Sequence, residues 1–122
     1  MATGKPTWTE AVSIRSAATL AAAGTAGYDI DMDTLGADAS KLQINLTIGS
    51  SSGITVEIFD SPDSGTTDDD VPVITFQMTA SGIKSITIKD TPHYRVLVTN
   101  DDGSNATGNL AIQHAWRQWS IA

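Results

Sequence analysis

Cysteine is absent from the 122 residues. That excludes disulfides, thiolate nucleophiles and most structural zinc sites together, so stability has to come from packing, strand pairing or assembly. Long apolar runs are absent too: no window approaches the roughly 18 continuous apolar residues of a membrane helix, so the chain is read as soluble, with no membrane partner. Basic residues are scarce, seven Lys and Arg against fourteen Asp and Glu, for a net charge of -7. Phosphate backbones and anionic lipids repel such a surface, so no nucleic-acid partner is expected. Aromatic residues make up 6% of the chain, and the three tryptophans, Trp8, Trp116 and Trp119, lie near its ends.

What is there is alternation with period two, the mark of half-buried strands. In YDIDMDT, Tyr28, Ile30 and Met32 share one face, and Asp29, Asp31 and Asp33 the other. KLQINLTIG places Leu42, Ile44, Leu46 and Ile48 inward, and ITVEIF does so with Ile54, Val56 and Ile58. VITFQM, SITIK, YRVLV and NLAIQHAW continue the series, the last with Leu110, Ile112, His114 and Trp116 in phase. With TEAVSI near the start there are about eight strands, joined by Gly, Pro, Asp and Ser turns, among them GSSSG as a short hairpin and the acidic loop SPDSGTTDDDVP. The expectation is an all-β protein, an antiparallel β-sandwich or jelly roll. Only Ala17 to Ala23 has a composition that favours helix, with little apolar area to dock.

Lys5 and Arg15 precede SAATLAAAGTAG, which ends in small residues as a signal peptide does, but Leu20 is its single large apolar side chain. Residues 1–27 are therefore read as an extended N-terminal arm used for interaction, and residues 28–122 as the β-sandwich domain.

The chemical motifs are incomplete. Asp29, Asp31 and Asp33 open like an EF-hand loop, yet the sixth residue of that count is Thr34 and the twelfth is Ser40, where Gly and Glu are needed. Alternate carboxylates on a strand stand about 7 Å apart, too far for all three to hold one ion unaided. The run Asp68 to Asp70 reads as a solvated tip. Serines are plentiful, but there is no G-x-S-x-G elbow, and neither His93 nor His114 sits in a recognisable base context. GSSSG lacks the lysine of a phosphate loop. No catalytic residue, no metal ligand and no cofactor is expected, and the protein is read as a non-enzyme. In HYRVLVTN, Tyr94, Val96 and Val98 take the core face, which places His93, Arg95 and Thr99 on the outer face.

Large aromatic side chains near chain ends, next to arginines, are what protein interfaces favour. Trp8, Arg15, Trp116, Arg117 and Trp119 are accordingly the interface candidates.

The order YDIDMDTLGADASKLQINLTIG, ITVEIFDSPDSGTT and PHYRVLVTNDDGSNATGNLAIQ, over residues 28 to 115, resembles the small β-sandwich domains of bacteriophage virion proteins, including capsid decoration (cement) proteins. The resemblance implies a structural protein on the outer capsid surface that binds the major capsid protein, stabilises the shell and works as a homo-oligomer, a trimer for preference. It brings no catalytic or ligand residues. The acidic run Asp68 to Asp70 departs from it, since related turns often carry an aromatic residue. Other readings are a carbohydrate-binding or adhesion module, for which Phe59 is the outward aromatic residue, and a tail or neck accessory protein.

Overall fold

The computed structural model describes residues 4–62 and 70–121. Among these residues nine strands form two antiparallel sheets: β1 (Gly4–Trp8), β2 (Val12–Ala18), β3 (Thr25–Asp31), β4 (Ala39–Leu46), β5 (Ile54–Ser61), β6 (Ile74–Met78), β7 (Gly82–Lys89), β8 (His93–Asn100) and β9 (Leu110–Ile121). One sheet runs β1-β9-β4-β7, with β2 also paired to β9, and the other runs β3-β8-β5-β6. From β2 onward every connection except β5 to β6 passes from one sheet to the other, which is the jelly-roll arrangement of an all-β sandwich.

The segment expected as an arm is built into the first sheet. β1 lies against Arg117 to Ile121, and β2 lies against Leu110 to His114 of the same strand. Both run antiparallel to β9, so residues 4–18 form one edge strand interrupted near Thr9, whose N–H donates to Trp116 O at 2.9 Å. The alternation is masked there because β2 shifts register twice against β9. The alanine stretch forms no helix. β2 ends at Ala18, Ala23 takes φ 56, and Gly24 N donates to Ala21 O at 2.8 Å.

GSSSG is a crossover between sheets instead of a hairpin, because β4 and β5 belong to different layers. Glycine is required at Gly49, which has φ 60 and where an added Cβ would stand 2.7 Å from Gly108 N. Asp29 and Asp31 close β3, but Asp33 lies in the single helical turn α1 (Met32–Leu35). Asp31 caps that turn, accepting from Thr34 N at 3.1 Å, and Gly36 ends it at φ 64.

Inward residues of both sheets make one core: Leu42, Ile44 and Leu46 of β4 and Leu110 and Ile112 of β9 meet Ile54, Val56 and Ile58 of β5 and Tyr94, Val96 and Val98 of β8. Met32 and Leu20 close it at the ends. One expectation is overturned on β8: His93 is only 2% exposed. Its phase is outward, but it begins β8 between Asp31 of β3 and Ser61 of β5, where α1 also contacts β8. Its Nε2 lies 3.3 Å from Asp29 Oδ1. Among the described residues no helix is long and apolar enough to cross a membrane.

Candidate interaction surface

Directly paired residues of adjacent strands share a face of the sheet. One such row crosses the outer face of the five-stranded sheet: Lys89 of β7 pairs with Ala39 of β4, Ala39 with Arg117 of β9, and Arg117 with Trp8 of β1. Trp8 is 44% exposed. The Arg117 guanidinium carbon stands 5.7 Å from the Trp8 ring centroid, an aromatic and cation contact that orders both side chains. Arg117 also grips Asp38, Nε to Oδ1 at 2.9 Å and Nη2 to Oδ2 at 3.4 Å. That hydrogen bond raises the pKa of Arg117 further, so its charge is permanent.

Beside this row is an open cleft of about 390 Å³, with Trp8 and Ala11 on one side and Lys41, Gln43, Ser85 and Gln113 on the floor and far side. Gln113 Nε2 donates to Gln43 Oε1 at 2.7 Å, which tethers the floor. Ile83 of β7 is 63% exposed, and Ser85 and Thr87 beside it are exposed too. β4 pairs with β9 only as far as Arg117, so β9 runs on past β4 with β1 alone beside it.

The other candidates go to different places. Trp116 points to the inner side, its ring 5.2 Å from the His114 ring, and its indole N–H has no hydrogen-bond partner among the described residues. Arg15 is half-buried on the flank between the two sheets. It donates from Nε to Leu110 O at 3.1 Å, from Nη1 to the Tyr28 hydroxyl at 2.9 Å and from Nη2 to Thr19 O at 2.9 Å. Trp119 pairs in register with Pro6, and its side chain lies outside the described residues. So do Asp63, Asp68 and Asp69. The structure therefore brings Trp8 and Arg117 together and separates Arg15 and Trp116 from them.

The fold does set a serine beside a histidine, which sequence spacing did not reveal. Ser40 Oγ lies 3.0 Å from His114 Nδ1 and 2.8 Å from the Tyr94 hydroxyl. Ser40 has no exposed surface, so no substrate can reach its oxygen, and the phenol bonds the serine, whereas a triad sets a carboxylate against the imidazole. Burial depresses the pKa of His114, keeping it neutral, and pushes that of Tyr94 up to about 12. The three groups satisfy one another in the core.

A second polar knot closes the far end. Asn100 Nδ2 donates to Leu20 O, Ala21 O and Asn105 O at 3.2, 3.1 and 2.9 Å, and its Oδ1 accepts from Ser51 Oγ at 2.7 Å. Asp102 accepts from the N–H groups of Ser104, Asn105 and Ser52, and these bonds hold its carboxyl below the usual range. Among the described residues no three His, Asp or Glu side chains converge on a common metal position. Phe59, the outward aromatic residue of β5, is half-buried.

No family model matches the sequence, and no curated protein matches it. Several solved structures align with the chain, two of them as follows. A Bacillus endospore appendage protein, from a family of disulfide-linked pili, aligns with TM-score 0.50 and 15% identity over 97% of this chain and 91% of that one. The SPBc2 prophage-derived protein YomS aligns with TM-score 0.43 and 13% identity over 93% of this chain and 96% of that one. At 15% identity the likeness to the appendage protein extends to the fold alone.

Proposed function

We propose that the chain is a non-enzymatic structural protein of a bacteriophage virion, acting as a capsid decoration protein that binds the major capsid protein and sister copies on the outer surface of the shell. The observation that carries the assembly role is the half-exposed Trp8, held on the sheet face by Arg117. An ordered indole beside a permanently charged guanidinium is the kind of anchor that dominates protein contacts, because little side-chain entropy remains to be lost on binding. The interior supports the same reading, since Ser40 and His114, the serine and histidine that meet there, are buried in the core. The virion setting comes from the sequence resemblance over residues 28 to 115.

Deleting the N-terminal segment would remove two strands of a sheet, so the cleaner probe is a substitution at an exposed side chain. Purified protein is mixed with DNA-emptied phage heads and sedimented. Wild-type protein in the pellet and a weakened fraction for Trp8→Ala are expected. Wild-type protein left in the supernatant removes the decoration role.

A further inference from the structure

The topology sorts charge between the two sheets in a way the linear sequence hides. The strands of the five-stranded sheet contain Lys5, Arg15, Lys41, Lys84, Lys89 and Arg117 and not one Asp or Glu. The strands of the four-stranded sheet contain Asp29, Asp31, Glu57 and Asp60 against Arg95 alone. Among the described residues every other Asp and Glu lies in α1 or in a connection.

The outer faces keep this bias. On the five-stranded sheet Arg117 is already paired with Asp38, so the positive charge of the face comes from the exposed Lys41 and Lys89, neither of which is within ion-pair distance of a carboxylate among the described residues. On the four-stranded sheet Asp29 and Glu57 lie on the strands either side of β8, and the Asp29 side chain is 58% exposed. Arg95 pairs in register with Asp29 and leans over Gly27, where an added Cβ would stand 2.9 Å from its guanidinium.

We infer that the protein self-associates through unlike faces, the cationic face of the five-stranded sheet on one copy meeting the acidic face of the four-stranded sheet on the next. The occupant is a second copy because the charges are complementary within one chain, and because contact between like faces would set lysine against lysine or carboxylate against carboxylate. The two faces look away from each other across the sandwich, so this heterologous contact stacks copies in a row instead of closing a three-fold ring. Four strands about 4.8 Å apart and eight residues of about 3.3 Å rise make a face of about 500 Å². The contact then buries about 1,000 Å² in total, the lower end for a specific interface, so association depends on concentration and on salt. This inference rests on the reading of the chain as an assembling structural protein, and it names the partner of the Trp8 face.

Sedimentation velocity over a concentration series, at about 10 mM and about 1 M salt, tests it, because those conditions change the screening length from about 30 Å to about 3 Å. Wild-type protein is expected to form species heavier than the monomer at low salt and to lose them at high salt. The double variant K41E/K89E and the single variant E57K, each confirmed folded by circular dichroism, are expected to associate about tenfold more weakly. An equimolar mixture of the two variants is expected to recover heavy species, because the reversed faces are again complementary. Wild-type protein that stays monomeric, assembly indifferent to salt and charge reversal, or a mixture that fails to recover would each overturn the inference. Monomeric protein that still pellets with phage heads overturns the stacking and leaves the decoration role intact, whereas self-association without head binding does the reverse.

Discussion

Arg15 Nη1 donates to the Tyr28 hydroxyl at 2.9 Å, joining an edge strand of the five-stranded sheet to an edge strand of the four-stranded one. At the opposite edge Lys84 Nζ stands 5.5 Å from the Phe76 ring centroid, again a cation of the first sheet on an aromatic residue of the second. Each long side chain covers an open flank of the sandwich with its stem, and while Lys84 is exposed, the Arg15 guanidinium is engaged by Leu110 O, Tyr28 and Thr19 O.

Arg15→Ala is expected to cost about 1–2 kcal/mol and Tyr28→Phe about 1 kcal/mol. Together they should cost less than their sum, since either change already breaks the shared bond. Urea unfolding of both single variants and the double variant measures the coupling. Strict additivity would show that the flank is held by packing alone.

Asn100 holds together three connections that are distant in sequence, those after Ala18, Leu46 and Asn100 itself. Asn100→Ala leaves the carbonyls of Leu20, Ala21 and Asn105 and the Ser51 hydroxyl without this partner, at an expected cost of about 2–4 kcal/mol. Hydrogen exchange should accelerate first at Thr107 N, which donates to Leu20 O at 3.0 Å, before the strands are affected.

The trio Tyr94, Ser40 and His114 predicts pH dependence with opposite signs at its two ends. His114 has a depressed folded-state pKa, so its contribution is present above about pH 6.5 and is lost as pH falls from there toward the folded value, where the unfolded chain binds the extra proton. His114→Gln should flatten that part of a stability curve taken by urea titration. Tyr94 is raised from 10.0 to about 12, so its contribution is complete below pH 10 and disappears as pH climbs to about 12, a loss on the order of 3 kcal/mol. Phenolate absorbance followed against pH, compared with Tyr94→Phe, checks this end. A Tyr94 titration near pH 10 would refute the burial argument.

Much of this could be read before the fold was known. Alternation alone assigns Leu42, Ile44 and Leu46, and Val96 and Val98, to the core, because side chains on a strand alternate whatever lies beside them. It fails where position in the sheet overrides phase. His93 is outward in phase and buried in fact, at the end of β8 where α1 packs and Asp33 N donates to Pro92 O at 3.2 Å, whereas Arg95, flanked by the same two strands, is exposed. β1 carried no alternation to detect, since Pro6 and Thr7 are exposed along with Trp8 and its register partners come from the far end of the chain. Of the interface candidates, Trp8 and Arg117 meet on one face, while Arg15 turns inward to Tyr28.

By itself, the amino-acid sequence determined the β class, the inward face of most strands and the absence of thiol chemistry, all of which follow from local pattern and composition. Only the tertiary structure decided which strands share a sheet, since pairs such as Ala39 with Arg117 join residues far apart along the chain, and no local signal reports that choice. The separation of the lysines of β4 and β7 from the carboxylates of β3 and β5, and with it the unlike faces, exists only once that pairing is made.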